Sequence, residues 1–592
     1  MKEEKQKHRN GKNNRRNSYQ HRQNNGRDNN EEKKEEKKEK LPGLRIIPLG
    51  GLGEVGRNMM VIEWEENAII VDMGLNFPEE KTPGVDYVIP NINYLEKNKK
   101  KILGLFLTHG HYDHIGAIPY LLDKVGNPPI FASPLTLGIV KRRQEEFPLQ
   151  PKLQTYEIKD GEKVELGAFC VEFFHQNHNI PEGNGLLIRT PVGNIVNTSD
   201  FKFDVSPTNA PPTDMQRLRD IGERGVLLLM SDSTGAEAEG RSLSEKTIEE
   251  NLEKIFKKAK GRVITATFAS LINRVQDIIT LSEKYNRKVV VEGYGMRTNI
   301  EIAKNLNLIK HEKKTIISPD KARNYNDNQL TILCTGAQGE GNAALMRILS
   351  KQHKHFRLKK GDTVVLSSSV IPGNERAVQN LKDDIMRQGA DIYHSQMMDI
   401  HAKGHAQQDE LKDMIKLMKP RYFLPIHGQF SMMASHAKLA EEEGIPKENI
   451  AVVDNGHVIA INDKGMQISK RPYNVTPVMV DGSGIGDVGG VVLHDRMELA
   501  ESGIFVVIAV VDKKTRKIKN SPDIISRGFI YLRESQGLLT ETRKKIMKIV
   551  SDAEKEKKDV KDIKVDIKNK LESFLFSKTR RRPMVLPVVI EV

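Results

Sequence analysis

The chain has 592 residues, 38% of them hydrophobic and 29% charged; at ~150 residues per folding unit this predicts three or four units rather than one core. Its only cysteines are Cys170 and Cys334, which excludes a disulfide framework and a cysteine-based zinc finger, and no run of ~18 apolar residues marks a membrane span. Residues 1–40 hold 14 Lys/Arg against 8 Asp/Glu and so supply +6 of the net +14; the body is only mildly basic, and charge alone does not establish a nucleic-acid partner.

Residues 1–42 are rich in Asn, Lys, Arg, Gln and Glu with almost nothing apolar. They read as a disordered basic tail, either adding contacts to RNA or ribosomes or merely solubilising the chain. No apolar stretch of signal-peptide type opens it, so secretion is not expected. From Leu44 the pattern alternates short apolar runs with helical periodicity. Strands are expected at Leu44–Leu49, Ala68–Val71, Ile102–Leu107, Phe169–Phe174, Leu186–Ile188 and Asn194–Val196, and helices around Ile118–Lys124 and Thr136–Glu146. The run Gly51-Leu52-Gly53-Glu54-Val55-Gly56 fits a GxGxxG pattern, but a tight turn beside a ligand explains it equally well.

Residues 43–240 form the first block. Residues 241–394 read as an α/β insertion, with strands at Val263–Thr267, Lys288–Val291 and Thr363–Leu366. Residues 395–475 return to the first block, a glycine-rich linker is expected at 476–489, and 490–592 read as a small α+β domain.

The densest chemical signal is Thr108-His109-Gly110-His111-Tyr112-Asp113-His114, directly after an apolar strand. Imidazole and carboxylate donors at this spacing suit zinc or a similar divalent cation, and one tight loop can address two cations. Other donors follow other strands: His178 after Phe169–Phe174, Asp200 after Asn194–Val196, and His427 after Tyr422–Ile426. One His at a strand end is usually a packing residue; several independent ones make coincidence a poor explanation.

This set resembles the metallo-β-lactamase superfamily and, more closely, the ribonuclease J members of its β-CASP group. The stretches that carry the resemblance include Leu49–Met60, Ile70–Pro78, Thr198–Asp204, Ser231–Thr234, Ala266–Ser270, Cys334–Glu340, Ser367–Glu375, Pro425–Gly428 and Pro522–Gly528, and it spans about 44–592. The implied fold is an α/β chain: a metallo-β-lactamase αββα sandwich, an inserted β-CASP α/β domain, and a small α+β C-terminal domain.

The resemblance also implies a site. His109, His111 and His178 would hold one metal; Asp113, His114 and His427 the other; Asp200 would bridge them, and Asp72 would orient a ligand from behind. Two divalent cations are implied, zinc or manganese, with hydroxide attacking the phosphodiester and Asp113 or Asp200 able to accept a proton. Ser367, Ser368, Ser369, Gly373 and Asn374 would bind phosphate, as would His401, Lys403 and His405, with His405 touching the scissile phosphate or protonating the leaving oxygen. The family usually has Ser where Lys403 stands. His175 and His436 read as structural or surface residues.

The implied activity is 5′-to-3′ exonuclease action on 5′-monophosphate single-stranded RNA, with internal cleavage, in cytoplasmic RNA turnover and rRNA maturation. The C-terminal block would support a homodimer or homotetramer, with ribosomal or RNA-degradation partners. Two other readings stand beside it: a metallo-hydrolase of small esters or thioesters, and a non-catalytic RNA-binding subunit.

Overall fold

The computed structural model describes residues 41–592 apart from 79–81, 97–100, 372 and 531–534. The basic tail expected at 1–42 therefore lies, up to residue 40, outside the described residues.

Two sheets make the centre of the first block. The eight-stranded sheet runs in the order 465–468, 459–462, 44–50, 59–64, 67–71, 102–106, 130–132, 155–157. The six-stranded sheet runs 422–426, 226–232, 194–197, 184–189, 169–175, 163–166. Alternation along a strand sends successive side chains to opposite faces. Ile69 and Val71 accordingly face the second sheet, where Val171, Phe173, Leu186 and Met230 meet them. Ala68 and Ile70 face outward to Ile118, Leu121 and Leu135 of the covering helices. The far face of the six-stranded sheet is closed by Leu218, Ile221, Leu411, Met414 and Leu439. The result is four layers, helix, sheet, sheet, helix, with an apolar cluster between the sheets.

The chain leaves this sandwich after the strand Val226–Asp232 and returns through Tyr422–Ile426, which pairs in parallel with it, Asp232 opposite Ile426. Between them lies a five-stranded parallel sheet, Lys288–Glu292, Leu330–Cys334, Val263–Ala266, Thr363–Leu366, Asp391–His394. Its strands are almost continuously apolar because helices cover both faces.

A buried ionic chain joins insertion and sandwich. Lys202 Nζ, two residues beyond Asp200, lies 3.1 Å from Glu245 Oε1. Glu245 pairs with Arg274, whose Nη1 donates to Ser367 Oγ and to the Ile400 carbonyl, at 2.7 and 2.8 Å.

The expected linker at 476–489 contains a strand, Val478–Asp481, paired antiparallel with Tyr87–Ile89 and folded back on Gly484–Ile485. Its four residues carry too little pattern to stand out among glycines, and its partner is distant in sequence.

In the C-terminal block Ile504–Val511 lies between Asp523–Arg527 and Met584–Glu591. Phe505 and Val507 pack on Ile546, Ile549, Ile563 and Ile567 of the helices Gln536–Lys555 and Val560–Thr579.

Candidate metal centre

The site is built where strands end. His109 and His111 follow Ile102–Phe106, and His111 precedes the short helix Tyr112–Ile115 that carries Asp113 and His114. His178 follows Phe169–His175, Asp200 follows Asn194–Asn197, and His427 follows Tyr422–Ile426. Three residues at these ends turn the chain through the left-handed region: Asp72 at φ 59°, Ser199 at φ 56° and His427 at φ 49°. Such conformations cost of the order of 1–3 kcal/mol each, and they gather at sites whose side-chain directions must be imposed.

The structure brings together all seven residues expected as metal ligands. His109, His111, His178 and Asp200 offer donor atoms within 4.8 Å of one another, and so do Asp113, His114, Asp200 and His427. Asp200 belongs to both groups. Its Oδ2 lies 3.7 Å from His109 Nε2, 3.7 Å from His178 Nε2 and 3.3 Å from His114 Nε2.

Behind this shell, Asp72 Oδ2 lies 2.7 Å from His114 Nδ1, while Asp72 also accepts hydrogen bonds from the Thr108 backbone and hydroxyl. The carboxylate fixes one edge of the His114 ring and leaves Nε2 for the pocket. His178 Nδ1 likewise donates to the Gly404 carbonyl at 2.6 Å. That approach requires glycine at 404: a Cβ there would stand 2.4 Å from His178 Cε1.

The charges sort into two classes. Burial keeps His109 neutral far below the ordinary imidazole range, and sets His111 at about 3 and His178 at about 4. Neutral imidazoles are the form that ligates metal. At His114 and His427 burial opposes the charge, but Asp200 and the neighbouring carboxylates outweigh it and raise both. Asp200 is held well below the usual carboxylate range, despite its own burial, by His427 and His114. A pocket this rich in carboxylate draws positive charge, supplied by protons or by cations. His427 Nε2 is buried with no hydrogen-bond partner, as expected of an atom reserved for a ligand. The donor set and this orphaned nitrogen fit divalent metal.

Of the substrate handles, His405 joins the centre. Its ring centroid is 5.1 Å from His178 and 5.7 Å from His427, and its Nδ1 lies 2.7 Å from Asp232 Oδ2. Burial opposes charge on His405, but Asp232, with Asp200 and Asp113 beyond it, holds it up at about 9. Lys403 is exposed.

Others depart from expectation. Ser367 is fully buried, and its hydroxyl donates to the Ile400 carbonyl at 2.7 Å while accepting from Arg274; it is a structural contact, not a free phosphate donor. Ser368 is buried against Gln338, which donates to its hydroxyl. His401 is buried beside Phe268, and burial with nearby Arg274 lowers it to about 3. Ser369 and Asn374 are half-buried and Gly373 is exposed. His175 is half-buried and His436 buried, and neither lies in the ligand groups.

Two further residues contribute to the site. Asp232 ends an apolar strand just as Asp200 does, but only the pairing of its strand with those of Asp200 and His427 brings it to the site. Asn58 Nδ2 lies 3.1 Å from His114 Nε2 and 3.4 Å from His427 Nδ1; a neutral amide carries no comparable signal.

Comparison with known proteins bears on this geometry. Four family models match the chain: the metallo-β-lactamase superfamily over residues 52–176, the ribonuclease J β-CASP domain over 260–385, the Zn-dependent metallo-hydrolase RNA specificity domain over 394–452, and the ribonuclease J C-terminal domain over 491–592. The chain is 42% identical to Ribonuclease J 1 of Streptococcus pyogenes serotype M3, over 92% of this chain and 97% of that one. It is 39% identical to Ribonuclease J 2 of Staphylococcus saprophyticus, over 94% and 99%. A crystal structure of a protein of unknown function from Enterococcus faecalis V583 shares the fold alone, with a TM-score of 0.50 at 15% identity over 70% of this chain and 99% of that one.

Proposed function

This chain belongs to the ribonuclease J family, metal-dependent ribonucleases with a metallo-β-lactamase core and an inserted β-CASP domain, and from that premise we propose that it degrades single-stranded RNA from a 5′-monophosphate end and also cuts internally. The observation that carries the reading is the convergence of six His and Asp side chains from separate strand ends on Asp200, with His405 at the rim.

In this reading His109, His111 and His178 hold one divalent cation, Asp113, His114 and His427 hold a second, and Asp200 is shared. When bound, such cations acidify water and offset the negative charge of the phosphate. The chain's own residues do the rest. Asp72 and the Gly404 carbonyl fix the His114 and His178 rings, so that little reorganisation is needed when substrate arrives. Asp232 orients His405 through Nδ1, leaving Nε2 as the edge that can give a proton to the departing 3′-oxygen. Of the Ser-rich turn, Ser369, Gly373 and Asn374 are the exposed or half-buried positions that suit the 5′-phosphate, with Lys403 adding a mobile charge.

The C-terminal sheet supports self-association. Register pairs Val506 with Ile525 and Leu586, Ile508 with Val588, and Val510 with Ile590, so these side chains share the face away from the helices. Ile525, Leu586, Val588 and Ile590 are 36–48% exposed, an apolar surface suited to a second copy. The proposed setting is cytoplasmic RNA turnover and rRNA maturation; among the described residues no helix is long and apolar enough to cross a membrane.

The test follows products over time on 5′-monophosphate, 5′-triphosphate and circular RNA, with metal content measured and chelator as control. Mononucleotides released in order from the monophosphate end, with slower internal cuts in the circle, are expected. Cleavage that persists in chelator, or no preference for the monophosphate end, defeats the proposal.

A further inference from the structure

Beside the metal loop, three aromatic side chains from separate segments reach the surface together. Tyr112 stands between His111 and Asp113 and is 37% exposed. Phe77 and Tyr294 are each 62% exposed. Phe77 lies 6.2 Å from Tyr87 by ring centroid, on a segment tied to the loop by the Leu75 amide, which donates to the Tyr112 carbonyl at 3.0 Å. Tyr294 opens the helix Tyr294–Asn305 of the insertion, so the group spans the boundary between the two domains.

Consecutive arginines at the end of the helix Pro134–Gln144 contact the two tyrosines, and Arg143 also contacts the Tyr87 ring beside Phe77. Arg143 places its guanidinium 5.6 Å from the Tyr112 ring centroid and 5.5 Å from that of Tyr87. Arg142 lies 6.0 Å from the Tyr294 centroid and donates to the Tyr294 hydroxyl at 3.0 Å. Glu145 pairs with Arg142 and Glu146 with Arg143.

The sandwich core has no need of Phe77 or Tyr294, whose rings are mostly in water. Exposed rings backed by guanidinium groups, at the lip of a phosphodiester-cleaving pocket, are the surface on which bases of a single strand stack without regard to sequence. We propose that Tyr112, Tyr294 and Phe77 form a stacking ledge that holds a nucleobase of the substrate strand as it passes between the metal pocket and the inserted domain. The proposal rests on the RNA reading above and adds a specific contact to it.

The competing account is a clasp: Arg142 and Tyr294 only tie the two domains. The experiment uses the full-length protein and a short 2′-O-methyl oligoribonucleotide with a 5′-phosphate, verified intact by gel after each titration and read by fluorescence anisotropy, with one abasic residue walked along it. With wild-type protein, removing the base at one or two positions should weaken binding about tenfold, and Tyr294→Ala should weaken binding of the intact strand by a similar factor. At the matching abasic position Tyr294→Ala should cost nothing further, because ring and base are two halves of one contact. Tyr294→Phe keeps the ring, loses the Arg142 hydrogen bond, and should bind as wild type does. Losses that multiply, or Tyr294→Phe as weak as Tyr294→Ala, would establish the clasp instead. Indifference of the wild-type protein to every abasic position also overturns the ledge, without any variant having to fold. Failure of the wild-type protein to bind the intact strand would overturn the RNA reading itself.

Discussion

Glu245→Gln tests the buried chain that couples the inserted domain to the metal-bearing sandwich. Glu245 is 7% exposed and faces Lys202 and Arg274, themselves 1% and 3% exposed. Burial raises its carboxyl, but Arg274 and Lys202 outweigh burial and hold it at about 2, against an ordinary value of 4.5. That gap corresponds to about 3 kcal/mol of folding stability. It agrees in size with the ~3–5 kcal/mol lost when one partner of a buried ion pair is removed. Because the native value is depressed, the contribution is complete above pH 4.5 and fades as pH falls toward 2; by pH 4 it should be about a quarter smaller. Differential scanning calorimetry of the metal-loaded enzyme checks this. If the insertion melts as its own unit of ~150 residues, Glu245→Gln should lower its transition by about 6–12 °C at pH 7.5, and by less at pH 4. A loss of only ~1 °C, or one that grows on acidification, would mean that the charge is not carried by Lys202 and Arg274.

Three further outcomes are expected. His111→Ala should lose both RNA cleavage and metal, whereas His405→Ala should slow cleavage by about 10²–10⁴-fold with metal retained; elemental analysis beside single-turnover rates separates the two roles, and equal metal loss in both would contradict the assignment. Ser367→Ala should destabilise the fold by about 1–3 kcal/mol, since the Ile400 carbonyl and Arg274 lose a buried partner, yet leave the ratio of rates on 5′-phosphate and 5′-hydroxyl RNA unchanged; a collapsed ratio would return Ser367 to the phosphate site. Val588→Lys places a charge in the open face of the C-terminal sheet and should shift the protein toward monomer in sedimentation velocity at unchanged melting temperature, whereas an unaltered assembly would direct attention to another surface.

How much of this was legible in the sequence depends on how local each signal is. The His109–His114 loop could be read directly because strand, turn and donors lie in one short stretch, and His178, Asp200 and His427 because each follows an apolar strand. Asp232 has the same local signature, but the pairing that sets it beside the Asp200 and His427 strands, Asn197 with Met230 and Asp232 with Ile426, is visible only once the sheet is assembled. Ser367 shows the converse failure. A serine at a strand end suggests a phosphate donor, but whether its hydroxyl faces the cleft or the core depends on Arg274, which lies 93 residues away. Ile504–Val511 is apolar at every position, so its pattern could not tell which face the helices cover and which stays open.

These cases share a physical origin. Sequence records what each segment prefers to bury and where it must turn, and both are properties of a few neighbouring residues. The centre is set by agreement between two sheets and an insertion. The loop bearing His109 comes from one sheet and Asp200 and His427 from the other, while His405 arrives on the segment that leads back from the insertion. Lys202, two residues beyond Asp200, reaches Glu245, then Arg274, then the Ile400 carbonyl five residues before His405. A shift of the insertion is therefore transmitted to the His405 segment, on which a displacement of ~1 Å can cost of the order of 10²-fold in rate. Weakening this buried chain should thus lower turnover before it lowers metal content, although none of its members touches the pocket.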